Sequence, residues 1–144
     1  MLVNARIAAD IVGATKMDRP EWVSVHPRTG EVYVTLTNNS SRTQADVYGQ
    51  IVRWREAGGD AAAQQFEWDI FVLAGNPIVH PDRKDLRSGS ANVTAENTFN
   101  SPDGLAFDPY GRLWIQTDGK YSNKGDFAGQ GNNQMLCADP VTKE

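Results

Sequence analysis

Histidine, cysteine and long apolar runs are what this sequence has least of. Two histidines and a single cysteine, Cys137, stand among 144 residues. One cysteine forms no internal disulfide and leaves the redox compartment open. No His/Cys spacing fits a structural zinc site. No stretch approaches the ~18 apolar residues that a membrane-spanning helix needs, so no membrane span is expected. The opening MLVNARIAADIVGATK is broken by Arg6 and Asp10 and has no small-residue cleavage site, so no export signal is expected in this chain. Positive charge is also scarce. Fourteen Lys and Arg against eighteen Asp and Glu leave a net charge of −4, with the basic residues scattered, which speaks against a nucleic-acid partner. Helix-favouring runs are few, and Ala61-Ala62-Ala63-Gln64-Gln65 is short.

What the chain does have is turns and a repeat. Four Trp, thirteen Gly and seven Pro suit an all-β protein rich in turns. RPEWVSVHPRTGEVYVTLTN, residues 19–38, matches SPDGLAFDPYGRLWIQTDG, residues 101–119. Pro20 aligns with Pro102, Glu21 with Asp103, Val25 with Phe107 and Pro27 with Pro109. After a one-residue difference in the turn, Gly30 aligns with Gly111, Val32 with Leu113 and Tyr33 with Trp114. Each unit starts as a short strand that ends at a proline, which cannot donate to a ladder. A turn with Pro early and Gly late follows. The second strand of each unit, Val32–Leu36 and Leu113–Ile115, is apolar enough to be covered on both faces.

Gln50–Glu56 and Phe66–Leu73 alternate and read as third and fourth strands. Gln134–Ala138 reads as the third strand of the second unit. Four strands per unit, with the acids 82 residues apart (21 to 103), describe β-propeller blades separated by a long insertion. The expected fold is therefore an all-β propeller fragment of about two four-stranded blades. Residues 1–144 would form part of one propeller domain: a blade at 19–76, an insertion loop at 77–100 and a second, incomplete blade at 101–144. Two unrelated hairpins in a β-sandwich are the alternative.

The start of a blade's innermost strand faces the central channel, and there each repeat carries an acid, Glu21 and Asp103. Converging carboxylates call for a cation, and oxygen donors suit calcium, magnesium, manganese or ferric iron. Asp118, at the end of the second strand, is a further candidate for metal, although a turn alone would explain it. Arg19 stands where the second repeat has Ser101. It would either hold a phosphate by paired hydrogen bonds or pair with Asp18 or Glu21, and the sequence leaves both open. His26 and Asp108 occupy equivalent places before proline, which suggests a turn role. His80 has no visible partner, and Cys137 is expected to be a buried, small apolar residue.

At MDRPEW, TGEVYVTLTNNS, FEWDIFVLAG, SPDGLAFDPYGRLWIQTDG and GNNQML the chain resembles the PhoX-type alkaline phosphatases, from about Asn4 to Thr142. The resemblance implies a six-bladed propeller, exported to the periplasm or beyond, that hydrolyses phosphomonoesters. It also implies a site with calcium and ferric iron at the channel mouth. The family's RPE motif falls on Arg19, as a contact to the substrate phosphate, and on Glu21, as a metal ligand. Its SPDG aspartate falls on Asp103, again a metal ligand. The family's cysteine thiolate and further acids belong to upstream blades, and Cys137 stands in a different context. The twin-arginine leader is likewise missing, so the chain resembles the later part of such an enzyme, a fragment inactive without its missing blades. Two other functions share the acidic mouth: a calcium-dependent propeller lactonase or esterase, and a non-catalytic binding propeller stabilised by calcium.

Overall fold

A computed structural model of the chain describes residues 4–39, 41, 46–120 and 122–143. Seven strands make two antiparallel meanders. The first sheet has the order β1 (Pro20–Val25), β2 (Val32–Leu36), β3 (Gln50–Glu56), β4 (Phe66–Leu73), and the second β5 (Pro102–Phe107), β6 (Leu113–Thr117), β7 (Met135–Ala138). The strands expected from alternation and turn residues are all present. Among the described residues one α-helix, α1 (Ala5–Ile11), and three short 3₁₀ turns are the exceptions to an all-β chain. The helix lies in a segment considered only as a candidate leader. Its alanine-rich composition favours helix, and it buries no residue, so no amphipathic period marks it in the sequence.

The core lies between the sheets. Tyr33, Ile51, Phe71 and Val72 of the first meet Leu105, Leu113 and Ile115 of the second. β5 runs beside β1 and β2. Strand register sets which side chains share a face. Val23 pairs with Val34, Val52 with Ile70 and Trp54 with Trp68, so all six lie on the opposite face of the first sheet. Val34, Leu36, Val52 and Trp54 cluster there, while Val23, Val25, Phe66, Trp68 and Ile70 are exposed.

β2 is covered on both faces, as expected: Tyr33, Val34, Thr35 and Leu36 are all buried. β6 is not. Leu113 and Ile115 are buried, whereas Trp114 is half-buried and Gln116 exposed. Among the described residues no sheet packs on the Trp114 side of β6, so its apolar run overstated its cover.

Among the described residues, 77–100 carry no named strand and only a short 3₁₀ turn at Leu86–Ser88, yet much of the segment is buried. Ser88, Val93, Thr98, Phe99 and Asn100 all lie inside. The Arg83 guanidinium donates to the carbonyls of Ser88, Ser90 and Val93 and to the Ser88 hydroxyl. That stapling satisfies backbone groups that a buried loop would otherwise leave unpaired. Gly75 is required here, because a Cβ would stand 2.2 Å from the Gly89 nitrogen.

Candidate active site

The two repeats reach their acids through the same backbone device. Arg19 and Ser101 both have left-handed φ angles, 51° and 52°. Each precedes a proline, which already restricts its conformation. A non-glycine residue held there stores on the order of 1–3 kcal/mol of strain, which the surroundings must offset. They do so identically: the Arg19 carbonyl accepts from the Thr37 N–H at 3.1 Å, and the Ser101 carbonyl from the Asp118 N–H at 3.0 Å. A bulge follows in each repeat, between Pro20 and Val23 and between Pro102 and Leu105. Bulges re-aim side chains, and these two carry Glu21 and Asp103.

The four side chains singled out by sequence come together. Arg19 Nη2 donates to Glu21 Oε1 at 3.2 Å, and Nη1 to Asn38 Oδ1 at 3.3 Å. Of the pairings left open for Arg19, the structure forms the one with Glu21, whereas Asp18 is buried and accepts from Asn39 Nδ2 at 2.7 Å. Arg19 and Glu21 are 56% and 36% exposed, so their pair adds little stability. The Asp103 carboxyl is pushed above its ordinary range, first by desolvation and then by the charges of Glu21 and Asp118, with Arg19 opposing. That excess negative charge is what a cation would compensate. Among the described residues, however, no group of three or more His, Cys, Asp or Glu is placed to hold a metal ion. The fit is therefore that of a partial oxygen donor set.

Behind these groups runs a polar seam that sequence reading largely missed. Thr35 and Thr37 are buried; the Thr35 hydroxyl donates to the Asp103 carbonyl at 2.7 Å and that of Thr37 to the Pro102 carbonyl at 3.1 Å. Asn38 Nδ2 donates to Ser101 Oγ at 3.3 Å, which donates to Asn100 Oδ1 at 3.0 Å. The available signal was a threonine inside the apolar run VYVTL, since a buried hydroxyl needs a partner. Asn133 holds the turn after Asp118, accepting from the Gly119 N–H at 2.9 Å.

The remaining candidates divide. His26 serves its turn: Nδ1 accepts from the N–H groups of Arg28 and Thr29, as Asp108 Oδ1 accepts from Tyr110 and Arg112. His80, which has no partner visible in sequence, has several. Nε2 lies 3.1 Å from the Tyr48 hydroxyl and 3.4 Å from Asp126 Oδ1, and Nδ1 lies 3.9 Å from Asp85 Oδ2. Those partners come from separate segments that only folding assembles. Cys137 is exposed rather than buried, because β7 turns Leu136 and Ala138 toward the core and Met135 and Cys137 away from it. A groove of 920 Å³ lined by Thr29, Arg55, Glu56 and Phe66 among others lies at the opposite end of the first sheet from Arg19.

Comparison with known proteins bears on the same residues. The family model described as alkaline phosphatase PhoX matches residues 1–144. No curated protein matches. Among solved structures, Pseudomonas fluorescens PhoX in complex with vanadate, a transition state analogue, superposes with a TM-score of 0.95 at 57% identity, over 99% of this chain and 26% of that one. The chain thus spans about a quarter of the length of the enzyme it matches.

Proposed function

The chain belongs to the PhoX family of alkaline phosphatases, and from that premise we propose that it carries part of the active site of a longer, metal-dependent enzyme that hydrolyses phosphomonoesters. The observation that carries this reading is the convergence of Arg19, Glu21 and Asp103 at two matching strand starts. A 57% identical relative binds vanadate, which supports a phosphate-type substrate here too.

Glu21 and Asp103 would hold calcium and ferric iron together with ligands from the missing blades, and Asp118 adds a further carboxylate. When bound, those cations supply Lewis-acid polarisation and neutralisation of phosphate oxygens. Arg19 exchanges its bond to Glu21 for a paired contact to the substrate phosphate and stabilises charge that builds there. Asn38 keeps the guanidinium at the site during that exchange. In this reading the sheets are consecutive blades of a six-bladed propeller, with the site at the channel mouth. The position of β5 beside β1 and β2 supports that arrangement, and the exposed face of Val23, Trp68 and Ile70 is where a preceding blade would pack. The family resemblance also supports a periplasmic or secreted parent protein. A calcium-dependent lactonase shares the acids but has no use for Arg19.

The test is p-nitrophenyl phosphate turnover by the complete parent protein with calcium and iron. Arg19→Ala is expected to lower kcat/KM by about 10²- to 10³-fold, and Glu21→Ala to abolish turnover. Undiminished phosphatase activity in Arg19→Ala, or lactone hydrolysis without phosphatase activity, would sink the reading. Asp103 offers an independent check. An acid whose carboxyl is raised in the fold destabilises it as pH rises through that range. Asp103→Asn is therefore expected to raise the metal-free Tm while weakening calcium binding, and a lower Tm with calcium affinity unchanged would show that Asp103 is merely structural.

A further inference from the structure

The bulges that aim Glu21 and Asp103 remove both from regular pairing. Pro20 pairs with Leu36 and Val23 with Val34, so Glu21 and Trp22 fall between registered pairs. Asp103 and Gly104 likewise fall between Pro102 and Leu105. Without another partner, the peptide groups beside the two acids would be free to shift. One side chain holds both. Thr35 is 0% exposed. Its hydroxyl oxygen accepts from the Trp22 N–H at 3.0 Å, and its proton is donated to the Asp103 carbonyl at 2.7 Å. A single oxygen atom therefore connects the residue after Glu21, in one sheet, to Asp103 itself, in the other.

We propose that Thr35 is a positioning residue of this site, its hydroxyl setting the spacing and aim of Glu21 and Asp103 toward a shared cation; the catalytic part of this inference rests on the phosphatase reading. Thr37 reinforces the clamp through the Pro102 carbonyl. The device belongs to the seam between the sheets rather than to the repeat. At the positions matching Thr35 and Thr37 the second unit has Gln116 and Asp118, and Gln116 is exposed. Valine has nearly the shape of threonine, so Thr35→Val removes the hydroxyl and little else. It leaves the Trp22 N–H and the Asp103 carbonyl without their bond, and they regain partners only by moving the acids. Displacements of about 1 Å at reacting groups can lower rates about 100-fold, and loss of a group that orients a metal ligand lowers affinity or activity about 10- to 100-fold.

The experiment uses the complete parent protein as wild type, Thr35→Val and Thr35→Ser, with three readouts: calcium affinity by titration calorimetry, kcat and KM on p-nitrophenyl phosphate, and Tm. Thr35→Val is expected to weaken calcium binding at least about tenfold and to lower kcat more than it changes KM. Thr35→Ser, which keeps the hydroxyl, should restore both to within about threefold. A lower Tm in Thr35→Val with calcium affinity and kcat unchanged would reduce Thr35 to a structural role and overturn the proposal. Equal impairment of the two variants would show that keeping the hydroxyl does not preserve the site, and would also overturn it. If the wild type turns over no phosphomonoester, the phosphatase reading fails, while the calcium-affinity difference between the variants still decides the clamp. Should Thr35→Val not fold, Thr37→Val takes its place. A severalfold loss of calcium affinity is then expected, and unchanged affinity would overturn the clamp.

Discussion

The two repeats share a backbone and differ in what surrounds it. Both place a left-handed residue before proline, then a bulge that carries an acid. The first unit turns its Tyr33 face onto the second, whereas among the described residues no sheet covers the matching Trp114 face of the second. Tyr33 is 0% exposed, whereas Trp114 at the same position is half-buried. Arg53 is 12% exposed, stacks near Tyr33 and Phe71, and makes a two-pronged pair with Asp69 at 2.9 and 2.6 Å. Arg112 is 50% exposed, paired with Asp108 at 2.7 Å and lying over Tyr110 and Trp114. Strand geometry is thus local and repeats, while burial depends on the neighbour and does not.

The sharpest way to break this comparison is to truncate the matching aromatics. Tyr33→Ala in the parent protein is expected to lose about 3–5 kcal/mol, as for other large aromatic truncations in a core. Trp114→Ala should lose clearly less if its far side is open to solvent. Urea unfolding measures both, and equal losses in the parent would mean that a further blade buries Trp114 as fully as Tyr33. Next in size is Arg53→Ala, at roughly 2–3 kcal/mol, because it strips Asp69 of its guanidinium and leaves the buried Glu31 with Arg55 alone. That figure is set below the value for a fully buried pair because Asp69 is 44% exposed, where solvent screens the charge. Arg112→Ala should have a smaller effect on the same measurement, and an effect as large as that of Arg53→Ala would erase the difference between the sheets.

A smaller effect comes from acid. Desolvation works to raise the Asp108 carboxyl, but the Arg112 backbone and guanidinium, the Trp114 indole and the Tyr110 N–H hold it at about 2. A carboxyl depressed in the fold contributes stability above its unfolded value of about 4, and that contribution is lost as pH falls toward about 2. Tm measured from pH 6 to 2 should therefore fall less steeply in Asp108→Asn than in wild type, and parallel curves would remove Asp108 from the acid response. The smallest effect is expected at Cys137. Because it is exposed, Cys137→Ser should change stability by no more than about 0.5 kcal/mol, and a larger loss would place it in a buried contact.

Much of the fold was legible because its signals are local. Val32–Leu36, Gln50–Glu56 and Phe66–Leu73 declare themselves by β-branched and aromatic content between Gly, Pro and Asn turns, and the observed strands have those bounds. The His26 and Asp108 turns were legible for the same reason, since each acceptor bonds N–H groups within four residues of itself. Glu21 and Asp103 were singled out because the repeat marks one strand position twice, and Arg19 because it stands beside the first acid where the second repeat has Ser101. The helix Ala5–Ile11 was missed because none of its seven residues is buried, so it carries no packing pattern.

The amino-acid order by itself determined the strands, the repeated proline-and-acid unit and the family, all of which rest on residues close in the chain or on long matching strings. Only the tertiary structure decided which groups meet across the chain. It joined Thr35 to Asp103 over 68 positions and seated His80 between Tyr48 and Asp126. It also left Cys137 in solvent and covered β2 on both faces but β6 on one. Those outcomes depend on which sheet packs on which, and a hydrogen bond or a buried face requires a partner whose position no local pattern records.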